Sequence, residues 1–327
     1  MLIVMKNTAT KKEINAVTKA MQKLSLKAEK LPGAQRTVIG IMGNKEYIDQ
    51  TRIMNFPGVK EIIHVTKKYK LVSREFCPKN SLVKVGKNIV FGGKKPIIIA
   101  GPCAIESHEQ LLKIAKNIKK LGAHMLRGGA YKPRTSPYAF QGLEEEGLKI
   151  MKKVSKETGL PIISEIISIN DLQLFKKYPD MIQIGSRNMH NFDLLKKVAK
   201  SDKPILLKRG MSATMEEFLL AAEYILKEGN PNIVLCERGI RTFEQSTRNI
   251  LDLNTLALIK QESHLPIIVD PSHAAGRYDL VPPLAKAGIA AEADGLIVEV
   301  HNDPTNALCD GGQSLTFKSF ESLIKEL

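Results

Sequence analysis

From residue 96 onward the chain alternates short apolar runs with longer stretches in which apolar positions recur at helical spacing. The apolar runs at 96–100, 124–127, 161–165, 181–184, 204–208, 232–237, 266–270 and 295–300 predict eight strands. The periodic stretches near 108–121, 143–158, 168–177, 191–200, 214–228, 251–261, 277–288 and 316–326 predict a helix after each. Eight β-α units within 96–327 predict an α/β fold, a (β/α)8 TIM barrel. A doubly wound open sheet fits less well, because it would want a glycine-rich nucleotide turn after its first strand and none is present.

Residues 1–65 follow a different order. A strand at 2–5, a helix near 11–24, a weakly marked strand near 26–30, apolar runs near 37–42 and 61–65 and a second helical stretch near 45–54 resemble β-α-β-β-α-β. This predicts a small ferredoxin-like α+β domain. Residues 66–95 carry charges, Pro78 and Phe91-Gly92-Gly93, and read as a linker leading into a small hairpin.

A barrel makes a sharp prediction about chemistry, since functional side chains gather at the C-terminal ends of its strands. Those ends are polar nearly everywhere: Cys103 after strand one, Arg127, Glu165, Ser186-Arg187, Lys208, Glu237-Arg238, Asp270 to His273, and Glu299 to His301. Strands seven, eight and one are neighbours in a closed barrel. Cys103, His273, Glu299 and Asp310 therefore converge on one sector of the rim. A thiolate, an imidazole and two carboxylates suit a borderline divalent cation such as Mn²⁺, Fe²⁺ or Zn²⁺. Each has a bland reading alone, as buried filler, helix cap, ion-pair partner and turn residue; their convergence favours the metal.

Opposite that sector the sequence predicts six cations: Arg127, Lys132, Arg134, Arg187, Lys208 and Arg238. Residues 127–142 place Arg127, Lys132 and Arg134 on one Gly- and Pro-rich loop, which Pro133 and Pro137 stiffen. A rigid basic loop suits a small phosphorylated or carboxylated ligand, with arginine forks binding bidentately and lysine acting as a point charge. Some of these cations are expected to form rim ion pairs with Glu165 and Glu237. Lys208 could also form a Schiff base, a reading that a metal site opposite weakens.

The net charge of +15 admits nucleic acid or anionic metabolites as partners. Aromatic residues make up only 5% and there is no Trp, so stacking platforms for single strands are lacking, and the N-terminal strands lack an aromatic RNA-binding pattern. No apolar run is long enough for a membrane span, and the start, Met-Leu-Ile-Val-Met-Lys, is too short for a signal-peptide core. Four widely spaced cysteines without a C-x-x-C pair suggest thiols in a reducing compartment. A cytoplasmic enzyme without nucleic-acid or membrane partners is the expectation.

Ala-Gly-Pro-Cys103 with Glu106-Ser107, Lys132-Pro-Arg134-Thr135-Ser-Pro-Tyr-Ala-Phe-Gln-Gly, Gln183-Ile-Gly-Ser-Arg187-Asn-Met, Cys-Glu-Arg238-Gly and Asp270-Pro-Ser-His273 together resemble the 3-deoxy-D-arabino-heptulosonate 7-phosphate (DAHP) synthases. The resemblance runs from about residue 67 to the C-terminus, and residues 1–65 resemble the ferredoxin-like regulatory domain of the type I beta branch. One departure is Ser186, where the pattern usually has alanine; the backbone N–H survives the change. A sister family, the 3-deoxy-D-manno-octulosonate 8-phosphate synthases, shares the barrel but takes arabinose 5-phosphate. Its loop pattern is Lys-Ala-Asn-Arg-Ser, whereas this chain reads Lys132-Pro-Arg134-Thr135.

The resemblance implies condensation of phosphoenolpyruvate with erythrose 4-phosphate, the first step of the shikimate pathway. It implies that Arg127, Lys132, Ser186, Arg187, Lys208 and Arg238 grip phosphoenolpyruvate, and that Arg134 and Thr135 receive erythrose 4-phosphate. It implies a divalent metal on Cys103, His273, Glu299 and Asp310 that polarises the aldehyde, with Lys132, Lys208, Cys103 and His273 as catalytic residues. Glu165 or Lys208 could activate the water. Feedback inhibition by tyrosine or phenylalanine and a homotetramer complete the expectation.

Overall fold

The computed structural model describes residues 1–32, 36–42, 50–63, 67–134 and 136–327. They form two compact units, Met1–Lys68 and Tyr69–Leu327. In the first, β1 (Leu2–Met5), α1 (Lys11–Lys23), β2 (Lys27–Pro32), β3 (Thr37–Met42), α2 (Gln50–Met54) and β4 (Val59–Ile63) follow in order. The strands build one antiparallel sheet in the order β2-β3-β1-β4. Thr10 and Glu13 form a capping box that starts α1, and Val17 and Met21, one turn apart, bury one face of that helix with Ile3, Met5 and Ile39. The weakly marked strand is real and spans β2. Residues 45–49 of the expected second helix and 64–65 of the expected last strand lie outside the described residues.

The second unit opens with a segment that is docked rather than free. The Glu223 carboxylate accepts the backbone N–H groups of Lys70, Leu71 and Val72 at 3.0, 2.8 and 3.0 Å, and His264 bridges Ser81 Oγ and the Leu71 carbonyl at 2.7 Å each. The stretch read as a linker is thus tied to the barrel by backbone groups, which carry no sequence pattern. The hairpin follows as β5 (Val83–Val85) and β6 (Ile89–Phe91).

Eight parallel strands then close a barrel: β7 (Ile97–Gly101), β8 (Met125–Arg127), β9 (Ile162–Ile166), β10 (Met181–Ile184), β11 (Ile205–Lys208), β12 (Ile233–Glu237), β13 (Ile267–Val269) and β14 (Gly295–Glu299). β14 pairs with β7, which shuts the ring. The surrounding helices are α3 (His108–Lys120), α4 (Glu144–Thr158), α5 (Leu172–Lys177), α6 (Phe192–Ala199), α7 (Met215–Lys227), α8 (Leu253–Glu262), α9 (Pro271–Ala275), α10 (Val281–Ala290) and α11 (Phe317–Glu326). In α3, Leu111, Ile114, Ala115 and Ile118 lie at i, i+3, i+4 and i+7 and are all buried against the barrel wall, while Ser107 caps the N-terminus.

The barrel interior fills by the strand period of two. Ile97, Ile99, Met125, Ile163, Met181, Leu206, Val234, Cys236, Ile268 and Ile297 form one buried cluster with Val83, Val85, Ile89 and Phe91 of the hairpin. The hairpin therefore plugs the N-terminal end, and the open end is the C-terminal one. Each such Ile or Leu buried contributes roughly 1.5–3 kcal/mol. Among the described residues no helix is long and apolar enough to cross a membrane.

Candidate active site at the C-terminal rim of the barrel

At the ends of six strands, the residue two positions beyond an apolar interior one, on the same face, is charged or polar. Met125 is followed by Arg127, Ile163 by Glu165, Met181 by Gln183, Leu206 by Lys208, Ile268 by Asp270 and Ile297 by Glu299. Five of these six are buried, Asp270 and Glu299 completely. Buried charge must be paired, and here it is. Arg127 Nη1 donates to Glu299 Oε1 at 2.9 Å, and Lys208 Nζ donates to Asp270 Oδ2. Gly101 stands on β7 between the first two; a Cβ there would lie 2.1 Å from the Arg127 carbonyl oxygen, and its φ of +148° suits glycine alone.

The proposed metal ligands meet above this layer. The ligand atoms of His273, Glu299 and Asp310 lie within 4.8 Å of one another, as do those of Cys103, Cys309 and Asp310, so Asp310 belongs to both groups. Cys103 Sγ donates to Asp310 Oδ2 at 3.2 Å, and the Cys103 and Cys309 sulfurs are 3.1 Å apart. His273 Nδ1 is 2.7 Å from Asp270 Oδ2, and its Nε2 is 3.4 Å from Glu299 Oε1. Burial lowers the His273 pKa, keeping the ring neutral; with Nδ1–H given to Asp270, the Nε2 lone pair points at the carboxylates. That is the orientation a metal-binding histidine needs, and the donor set fits a divalent cation.

The charges around the site hold their ionised forms. Burial pushes Asp270 up, but His273 and Lys208 outweigh it and keep its pKa well below the usual carboxylate range. Glu299 is likewise lowered against burial, by His273 and Arg127. The two thiols diverge: the hydrogen bond that Cys103 donates to Cys309, together with burial, raises Cys103 well above an ordinary thiol, while accepting that bond, with Lys132 nearby, lowers Cys309. A bound cation would deprotonate Cys103 outright.

A cavity of about 340 Å³ opens onto this ground. Lys132, Arg134, Ser186, Arg187, Lys208 and Arg238 all line it, as do His273, Asp310 and Glu165. Lys132 Nζ donates to Cys103 Sγ at 2.9 Å and to the Cys103 carbonyl at 3.1 Å; Arg134 Nη1 donates to Cys309 Sγ. Arg238 is buried, its Nη2 donating to the His273 carbonyl at 3.2 Å. Cβ-less Gly185 makes room for Glu165, whose Oε1 would sit 1.8 Å from any Cβ at that position. Thr135 lies outside the described residues.

The sequence matches the model of the "DAHP synthetase I family" over residues 75–327. The chain belongs to that family. Residues 1–67 match the DAHP synthase ferredoxin-like domain. A phospho-2-dehydro-3-deoxyheptonate aldolase of Thermotoga maritima is 48% identical over 327 residues, covering 100% of this chain and 96% of the relative. The crystal structure of the Thermotoga maritima enzyme of that name superposes with a TM-score of 0.96 at 48% identity, over 99% of this chain and 95% of the other. A 2-dehydro-3-deoxyphosphooctonate aldolase of Syntrophotalea carbinolica is 32% identical over 259 residues, 73% of this chain and 92% of the relative.

Within this DAHP synthetase I family member, three sequence-based expectations need correction. Arg127 does not stand opposite the metal sector: it pairs with Glu299, because β8 is only two strands from β14 in the ring. Glu237 pairs with Arg209, not with one of the six cations, and Glu165 takes its hydrogen bond from Gln183 at 3.0 Å. Strand seven stops at Val269, because Asp270 accepts the His273 N–H at 2.9 Å and Pro271 starts α9; Asp-Pro at a strand end is a helix-start signal that was available in the sequence. Sequence reasoning also missed Arg248 and Gln313. Arg248 lines the cavity, and Gln313 Nε2 donates to Glu299 Oε2 at 2.8 Å. Neither sits at a strand end, and only the closeness of Gln313 to Asp310 hinted at its place.

Proposed function

We propose that this chain condenses phosphoenolpyruvate with erythrose 4-phosphate, yielding DAHP and inorganic phosphate, in a reaction that depends on a divalent cation. The observation that carries the reading is one cavity lined both by the Lys132–Arg134 loop, Ser186 and the cations Arg187, Lys208 and Arg238 and by His273 and Asp310. Two phosphorylated substrates, one also a carboxylate, need that density of positive charge, and the loop reads Lys-Pro-Arg as in the DAHP synthases.

In this reaction C3 of phosphoenolpyruvate bonds to the aldehyde carbon, water adds at C2, and phosphate leaves. Lys132, Ser186, Arg187, Lys208 and Arg238 hold the phosphate and carboxylate of phosphoenolpyruvate, and Arg134 with Thr135 takes the phosphate of the sugar. Arg127, which pairs with Glu299 at 2.9 Å, also grips phosphoenolpyruvate. A cation on Cys103, His273, Glu299 and Asp310 would supply Lewis-acid polarisation of the aldehyde oxygen. Lys132, hydrogen-bonded to the Cys103 sulfur, can hand a proton to the developing alkoxide. Of the two groups that could activate water, Lys208 is committed to Asp270, which leaves the Glu165 carboxylate on the cavity wall as the base. This chemistry supplies the pathway to aromatic amino acids, and residues 1–67 would bind tyrosine or phenylalanine as feedback inhibitors, with a tetramer as the assembly.

The test follows loss of enolpyruvate ultraviolet absorbance in chelator-stripped, Mn²⁺-restored protein, with erythrose 4-phosphate and arabinose 5-phosphate in parallel. Mn²⁺-dependent consumption with the four-carbon sugar is expected. Consumption with the five-carbon sugar alone would reassign the chain's substrate, and none with either would sink the reading.

A further inference from the structure

Gln313 is 3% exposed and both ends of its amide are committed. Nε2 donates to Glu299 Oε2 at 2.8 Å, and Oε1 accepts from Arg248 Nη1 at 3.0 Å. An amide caught between a carboxylate and a guanidinium has one workable orientation, because the flipped form would set acceptor against acceptor on one side and donor against donor on the other. Gln313 is thus locked.

The lock makes the two oxygens of Glu299 unequal. Oε2 is taken by Gln313, whereas Oε1 accepts from Arg127 at 2.9 Å and lies 3.4 Å from His273 Nε2, on the side of the ligand group. The same short segment sets the other carboxylate. Asp310 has a left-handed φ of +51°, the one-turn helix Gly311–Gln313 follows it, and a Cβ on Gly311 would lie 2.0 Å from the Pro304 carbonyl oxygen, so no other residue fits the turn. Asp310 is placed by the backbone of this turn and Glu299 by the side chain at its end.

We infer that Gln313, oriented by Arg248, is a positioning residue that presents Glu299 to a divalent cation through Oε1 alone. The inference rests on the proposed cation site at Cys103, His273, Glu299 and Asp310. A carboxylate released from Gln313 can rotate and bind through both oxygens, which raises the coordination number and costs affinity for a cation suited to the compact mixed set. Outer hydrogen-bond partners of metal ligands typically carry about a 10–100-fold effect on affinity.

The experiment compares wild-type full-length protein with Gln313→Met, titrating Mn²⁺ by the electron paramagnetic resonance of the free ion and recording the visible spectrum of the Co²⁺ form. Expected are a loss of Mn²⁺ affinity of about 10–100-fold, weaker Co²⁺ absorption bands from a higher coordination number, and an unchanged circular dichroism spectrum without metal. A folded variant with wild-type affinity and a wild-type Co²⁺ spectrum overturns the inference. Should the Met variant not fold, Gln313→Asn keeps an amide but withdraws it from Glu299, and the same two readouts apply. Wild-type protein that binds no Mn²⁺ would overturn the cation site itself, and this inference with it; wild-type binding with an unaffected variant overturns this inference alone.

Discussion

His273 Nδ1 lies 2.7 Å from Asp270 Oδ2, and that same oxygen accepts the Lys208 ammonium. One buried carboxylate therefore orients a proposed metal ligand and neutralises a cation of the substrate cavity. Asp270→Asn offers one acceptor and one donor where two donors point in, so either His273 or Lys208 loses its partner. The expected outcome is a loss of Mn²⁺ affinity of about 10–100-fold and of about 3–5 kcal/mol in stability, because a buried ammonium is left without its counter-charge. Urea unfolding of the metal-free variant and a Mn²⁺ titration check both. Wild-type values in the two measurements would mean that the bridge is incidental.

Acid should weaken the metal-free fold in two stages. The His273 pKa is lowered by burial from an ordinary 6.5, so below that pH the unfolded chain takes up a proton that the folded chain refuses, and stability falls. Asp270 and Glu299 are lowered from 3.8 and 4.5, against burial, by His273 together with Lys208 and Arg127 respectively; their stabilisation is present above those values and is lost below them, as pH falls through the lower folded-state pKa values. The melting temperature of metal-free protein should fall from pH 8 to pH 6, and again below about pH 4. A rise on acidification from pH 8 to pH 6 would contradict the assignment for His273.

Metal uptake should instead improve with pH. Cys103 is held protonated by its hydrogen bond with Cys309 and by burial, so a cation must displace its proton. Release of one proton predicts an apparent Mn²⁺ affinity that rises about tenfold per pH unit below the thiol pKa. Isothermal titration in buffers of different ionisation enthalpy counts the protons directly, and a count of zero would mean the thiol is not a ligand.

The 3.1 Å between the Cys103 and Cys309 sulfurs leaves the metal-free pair open to oxidation. With diamide as oxidant, the two thiols give up two protons and two electrons, the diazene is reduced to a hydrazine, and one S–S bond forms. Free thiols should drop from four to two, with Mn²⁺ protecting the pair. Mass-spectrometric thiol counting that shows no difference with and without Mn²⁺ would argue against a cation at Cys103.

The unit Met1–Lys68 has its own core of Ile3, Met5, Val17, Met21, Ile39 and Ile41. A chain starting at Tyr69 should therefore retain synthase activity within about threefold and lose any response to tyrosine or phenylalanine, since an effector site on a separately folding unit leaves with it. Parallel inhibition curves on the full and shortened chains decide this. Inhibition that persists in the shortened chain would place the effector on the barrel.

The apolar runs and helical periods of residues 96–327 were enough to read a barrel, because a strand buried on both faces and a helix buried on one leave opposite marks in the sequence. The polar strand ends likewise marked Cys103, Lys208, His273 and Glu299, because a closed barrel brings every C-terminal strand end to one rim. What the sequence left open was pairing. That Arg127 pairs with Glu299, which oxygen of Asp270 serves two donors, and that Gln313 reaches back to Glu299 depend on distances across strands and turns. Those distances arise only when the ring closes: Arg127 and Glu299 are 172 positions apart in the chain and 2.9 Å apart in space.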